Sequence, residues 1–158
     1  MKTTPPPPAD DDLLALDRQV CFAVAVASRS VIGFYRPILE PLGLTHPQYL
    51  VMLALWESAP LQFKELAALL RLDPATLTPI VKRLERDGLV QRGKLQGDDR
   101  SFTLSPTVKG HALRQQALSV PRTVIERLGM PVEQLVALRD ELSQLISAVD
   151  RAGASTST

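Results

Sequence analysis

Three groups of residues in this 158-residue chain could carry chemistry: a single cysteine, two histidines, and threonines interleaved with basic residues. Cys21 is the only thiol, so the chain cannot form an internal disulfide or build a multi-cysteine zinc site. A cysteine reacts as thiolate, which requires hydrogen-bond donors or positive charge beside it. Unpaired cysteines are more often simply buried in an apolar helix, and with Val20, Phe22 and Val24 around Cys21 spacing alone favours that structural reading over a sensor. His46 and His111 are too few for a histidine-rich metal centre, and His111, following Gly110, is expected at the surface. The chain shows no serine–histidine–acid set and no phosphate-cradling glycine loop, so a non-enzyme with no metal and no cofactor is expected. Between 73 and 86, Leu77, Ile80, Val81 and Leu84 turn toward a core. That leaves Thr76, Thr78, Pro79, Lys82, Arg83 and Arg86 on other faces. Threonine hydroxyls and methyls suit base edges, while lysine and arginine suit phosphates or guanine.

The elements that must position these residues are mostly helical. Leu13, Leu16, Val20, Ala23, Ala27, Val31, Phe34 and Ile38 recur every three or four residues, predicting a first helix over 13–40. Pro37 and Pro41 should kink or end it. Such a helix spans roughly 40 Å, longer than the roughly 30 Å diameter of a domain this size. A second copy of the chain would cover its seam. A second helix is expected over 48–57, with Met52 and Trp56 in the core, and a third over 63–70. Asp73 is a plausible N-cap with Pro74 at the first helical position, and Gly88 a C-cap signal. Pro79, inside that fourth helix, should bend it or make its first turn irregular. Residues 89–91 and 101–104 flank a turn-rich stretch, a hairpin signature. Helical pattern returns after Pro106 and again after Pro131, where Leu135, Leu138, Leu142, Leu145 and Val149 mark one seam.

Helix, short turn, helix and two-stranded hairpin is the order of a winged helix-turn-helix. The predicted fold class is therefore mainly α with a small β-hairpin, with N- and C-terminal dimerisation helices. Charge agrees: residues 60–115 hold 10 Lys/Arg against 6 Asp/Glu, while the whole chain is only +1. Such segregation fits an electrostatic footprint on a duplex. Ordinary apolar and charged fractions, 45% and 22%, exclude wholesale disorder. The most apolar stretch, 20–38, is interrupted by Arg29 and Arg36, and the N-terminus is proline-rich then acidic, the reverse of a signal peptide. A cytoplasmic protein with no membrane partner is expected. Residues 1–10, with Pro5 to Pro8 in a row, read as a disordered tail, and 153–158 as a frayed one.

Several strings are more specific. Val20-Cys-Phe-Ala, Ser28-Arg, Tyr35-Arg-Pro-Ile-Leu-Glu and Gly43-Leu-Thr-His-Pro-Gln-Tyr-Leu together resemble the MarR family of regulators, and within it the OhrR-like branch of organic hydroperoxide sensors, single-cysteine type. Leu72-Asp-Pro-Ala-Thr-Leu-Thr-Pro-Ile-Val-Lys-Arg-Leu-Glu is similar to that branch's recognition helix, and Asp98-Asp-Arg-Ser to its wing tip. The resemblance runs from about residue 18 to 110. It implies one domain over 11–152, with dimerisation helices at 11–45 and 106–152 and a DNA-binding lobe at 46–105. It implies a homodimeric repressor on a palindromic operator of double-stranded DNA, recognition helices in successive major grooves, and Arg100 in a flanking minor groove, oriented by Asp98.

The resemblance also assigns the peroxide-sensing role to Cys21, with two aromatic hydroxyls of the partner subunit holding the thiolate. Tyr35 matches the first. The second position is His46, which can donate a hydrogen bond and, if protonated, would favour a thiolate more strongly than a phenol. Two further departures are Ala25, where a tyrosine is often found, and Pro74-Ala75, where Ser-Gly is common. Cys21 and Tyr35 are 14 residues apart, roughly 21 Å along a continuous helix, so they cannot touch within one chain unless the helix breaks, whereas an antiparallel dimer could bring them together. The expected effectors are an organic hydroperoxide and a small thiol. A second expectation keeps the fold but makes Cys21 structural, with a small phenolic or lipophilic ligand as effector. A third, a thiol peroxidase, lacks the second thiol such an enzyme commonly uses.

Overall fold

A computed structural model of the chain describes residues 13–95 and 97–154, and the side chains of all these except Asp98, Asp99 and Arg100. The proline-rich tail expected at 1–10 lies outside the described residues, as does 155–158. The helices are α1 (Val20–Leu39), α2 (His46–Ser58), α3 (Phe63–Leu70), α4 (Pro74–Arg86), α5 (Val108–Ala117), α6 (Val120–Leu128) and α7 (Val132–Ala154). Three strands, β1 (Leu61–Gln62), β2 (Val90–Leu95) and β3 (Asp98–Pro106), form one antiparallel sheet in the order β1-β3-β2. The fold is the expected one, mainly helical with a small hairpin, to which β1 adds a short third strand. The chain divides into two compact units, 1–115 and 116–158.

Local chemistry explains the boundaries in the first unit. Thr45 and Gln48 form a reciprocal capping box that starts α2, and Gln62 with Glu65 does the same for α3. Asp73 caps α4, its carboxylate accepting from the Thr76 amide at 2.9 Å, with Pro74 at the helix start. Leu77, Val81 and Leu84 of α4 are buried with Leu39, Val51, Met52, Leu55, Leu66 and Leu104 in one core. Trp56, expected beside Met52 in that core, is half-buried instead, because its indole N–H reaches out to the Gly110 carbonyl at 2.9 Å. The start of α5 is tied to the end of α4: Lys109 Nζ donates to the Asp87 carbonyl, and Thr107 Oγ1 to that of Gly88. A Cβ on Gly110 would stand 2.1 Å from the Leu89 carbonyl oxygen, so only glycine permits this approach.

The structure departs from periodicity at three places. The first helix begins at Val20, after a 3-10 turn over Leu16–Arg18; Gln19 is extended and its side-chain amide donates to the Leu13 and Ala15 carbonyls. No residue of that turn is buried, and Leu13 and Leu16 are exposed, so no apolar burial among the described residues extends α1 back through them. The α4 helix runs through Pro79 without interruption. The segment after Pro106 is two helices, broken at Leu118-Ser119, with Pro121 in the first turn of α6.

Two helices carry little of their apolar surface inside. Only Ile38 and Leu39 of α1 are buried, while Val20, Phe22, Val24, Val26, Val31 and Ile32 are exposed. In the second unit α7 buries no residue and exposes Val132, Val136, Leu138, Leu142, Ile146 and Val149. Val20–Leu42 is also long and apolar enough to cross a membrane by length and composition alone, although Arg29 and Arg36 lie within it.

Candidate sensor cluster and DNA interface

Cys21 is the second residue of α1, and its side chain is exposed in the single chain. Tyr35 lies on the same helix, which is unbroken between them. Fourteen residues of continuous helix separate them by roughly 21 Å, so they cannot meet within one protomer.

Tyr35 and His46 do meet. Their rings stand edge to face with centroids 5.1 Å apart, His46 being presented by the first turn of α2 just after its Thr45 cap. Sequence reasoning overlooked a third member. Tyr49 lies one helical turn beyond His46, is buried, and has its ring centroid 6.1 Å from that of Tyr35. The available signal was its i,i+3 spacing from His46, which places both on one helix face. Phe34 packs edge-on against Tyr35 from within α1.

Burial sets the protonation of this cluster. It pushes the Tyr35 phenol above its ordinary value of 10, and burial together with the nearby Tyr35 does the same to Tyr49. Both hydroxyls are therefore donors at neutral pH. Burial also pushes His46 below 6.5, favouring the neutral imidazole. The cationic histidine considered from sequence is thus disfavoured; a hydrogen bond is what His46 offers. Beside it, Ile32, Arg36, Glu40, Gly43, Leu44 and Thr45 line a cleft of ≈ 450 Å³ with His46 and Pro47.

On α4, Thr76, Pro79, Lys82 and Arg83 are exposed and Thr78 is half-buried. Both threonine hydroxyl protons are committed inside the helix: Thr76 Oγ1 donates to Asp73 at 2.8 Å, and Thr78 Oγ1 to the Pro74 carbonyl at 2.6 Å. What these side chains present outward is an acceptor oxygen and a methyl group. Arg83 and Pro79 border a second cleft of ≈ 300 Å³ with Thr45, Pro47, Gln48 and Ile80. Asp98 and Arg100 fall at the tip end of β3, Asp98 opposite Leu95, next to an irregularity in the β2–β3 register. The orientation of Arg100 by Asp98 lies outside the described residues. His111 is exposed, as expected. Among the described residues no group of three His, Cys, Asp or Glu could hold a metal ion.

A capped helix whose exposed face is basic, followed by a hairpin, defines a winged-helix DNA-binding protein. Residues 44–102 match the MarR family. The organic hydroperoxide resistance transcriptional regulator of Bacillus subtilis is 36% identical over 138 residues, covering 87% of this chain and 94% of that protein. The regulator TtmR of Methylorubrum extorquens is 42% identical over 135 residues, 85% of this chain and 69% of that one. Among solved structures, AbfR of Staphylococcus epidermidis, reduced and bound to DNA, superposes with a TM-score of 0.74 at 30% identity, covering 89% of this chain and 99% of that one. AbfR is also known overoxidised on DNA, TM-score 0.73, and disulfide-formed, TM-score 0.61. This chain belongs to the MarR family and is a DNA-binding transcriptional regulator.

Proposed function

We propose that this regulator is a cytoplasmic homodimeric repressor that senses organic hydroperoxides through Cys21. The observation that carries the reading is the placement of an exposed thiol and a tyrosine–histidine cluster at opposite ends of one unbroken helix whose apolar face is exposed. A second copy packed antiparallel on that face brings Cys21 of one subunit to Tyr35 and His46 of the other. The likeness to the Bacillus hydroperoxide regulator supports this assignment. Thr76, Thr78, Pro79, Lys82 and Arg83 contact a palindromic operator in the major groove, and Asp98 and Arg100 serve the wing.

In the sensing step the Cys21 thiolate attacks the terminal peroxide oxygen. The S–O bond forms, the O–O bond breaks, the sulfur is oxidised to sulfenate, and the peroxide leaves as its alcohol after taking up a proton. With one cysteine in the chain, the sulfenic acid condenses with a small cellular thiol, releasing water and leaving a mixed disulfide, or is oxidised further. The added bulk at the subunit boundary moves the two DNA-binding lobes out of operator spacing. Mass spectrometry of protein released from DNA by cumene hydroperoxide and a small thiol is expected to show Cys21 modified. Release with Cys21 unmodified contradicts the mechanism.

The ≈ 450 Å³ cleft beside His46 favours a second reading, in which a small phenolic or lipophilic ligand causes release and Cys21 is structural. Substituting Cys21 separates the two, because only the first loses its response.

A further inference from the structure

The wing is tied to the recognition helix by a side chain that the DNA-contact assignment does not use. Arg92, the third residue of β2, donates to both carboxylate oxygens of Glu85 near the end of α4, from Nε at 2.6 Å and from the terminal guanidinium nitrogen at 3.1 Å. The same guanidinium lies over the Phe102 ring of β3, 4.1 Å from its centroid. Phe102 sits opposite Lys94, so Arg92 crosses the hairpin diagonally to reach it. Phe102 in turn packs against Phe63, the first residue of α3, at 6.1 Å. One planar group therefore touches α4, β2 and β3 together, and through Phe102 is braced on α3.

We propose that Arg92 is a positioning residue for DNA binding: held by Glu85 and stacked on Phe102, it sets the angle of the wing to the recognition helix and does not itself contact the duplex. The fork geometry supports this, since a bidentate and stacked guanidinium has one orientation, which lysine cannot reproduce. The Glu85 hydrogen bonds also raise the Arg92 pKa above its ordinary value, so the guanidinium stays charged. The arrangement explains why a carboxylate is found on the otherwise basic α4, next to Arg86 and one turn from Lys82.

Simple electrostatics and the clamp give opposite signs. Removing a negative charge from a DNA-facing helix tightens binding if charge alone matters. Removing Glu85 as a clamp member loosens it. The proposal rests on α4 and the wing being the duplex-contacting elements, and the test includes a control for that. Fluorescence anisotropy with the reduced, full-length chain and a labelled duplex from upstream of its own gene is measured across a salt series. Glu85→Gln and Arg92→Gln should each weaken binding about tenfold, comparable to one mis-set base contact. The double variant should be no weaker than either single one. The slope of log affinity against log salt should match wild type in all three. Arg92→Lys, which keeps the charge, should be weakened like Arg92→Gln. Wild-type or tighter binding by Glu85→Gln overturns the clamp, as does a slope reduced by about 0.9 in Arg92→Gln, the mark of a lost phosphate contact. Lys82→Ala serves as the control, with its slope reduced by about 0.9 if α4 lies on the duplex. Unchanged binding by Lys82→Ala removes the assignment of α4, and the clamp with it.

Discussion

In the proposed mechanism Cys21, Tyr35 and His46 would divide the sensing chemistry unequally. The sulfur would supply the electrons, while the phenols, which burial keeps protonated, and the neutral imidazole would supply hydrogen-bond donors. Replacing Tyr35 by Phe should slow Cys21 oxidation by about tenfold, the loss of one hydrogen bond to a charged group, as followed by stopped-flow with cumene hydroperoxide. Tyr49→Phe, which leaves the ring packing intact, should change the rate less. His46 also predicts a pH dependence. Its folded pKa lies below 6.5, so the unfolded chain binds more protons as the solution is acidified. Stability present above about pH 6.5 is therefore lost as the pH falls through the depressed folded value. Thermal melts should show wild type losing Tm more steeply than His46→Gln on acidification from about pH 7.5 to about pH 5, a window bracketing the ordinary histidine value. Parallel curves would mean that His46 is solvated.

At the scale of elements, the most legible features in the sequence were those with local chemistry. Asp73 and Pro74 announced the start of α4, and Gly88 its end. Their structural roles follow from groups within four residues. Asp73→Ala should lower the urea midpoint of unfolding by removing the α4 N-cap, and weaken DNA binding further by loosening Thr76. Features set by distant residues were not legible. The tie from Lys109 and Thr107 back to α4 and the reach of Trp56 to Gly110 depend on close approach across the fold. So does the Arg92 clamp. The Gly110 approach gives a sharp prediction: Gly110→Ala forces a methyl into the Leu89 carbonyl and should destabilise by about 2 kcal/mol or more. A melting temperature unchanged in that variant would show that α5 can shift away freely. The start of α1 was misread for a related reason. Periodicity continues back to Leu13, but Leu13 and Leu16 are exposed, so no apolar burial among the described residues extends the helix back through them.

At the scale of the molecule, apolar faces left open on α1 and α7 mark where the single chain is incomplete. In the proposed dimer, a second copy covering the α1 face would place the sensor between subunits and couple its oxidation to the spacing of the two DNA-binding lobes. Leu138→Glu/Leu142→Glu puts two charges one turn apart on the exposed face of α7. Sedimentation should then find a species near 17.3 kDa where wild type sediments at twice that mass, and DNA affinity should fall at least tenfold with loss of the second half-site. A dimer persisting in that variant would remove α7 from the interface. The central claim, that oxidation of one sulfur releases the operator, is tested most directly by titrating DNA-bound protein with cumene hydroperoxide in the presence of a small thiol, wild type beside Cys21→Ser. Wild type should release its duplex at about one equivalent of peroxide per subunit, and Cys21→Ser should stay bound through the same range, as a stoichiometric sulfur oxidation requires. Release by both proteins, or by neither, would contradict the account and leave the cleft beside His46 as the place where an effector acts.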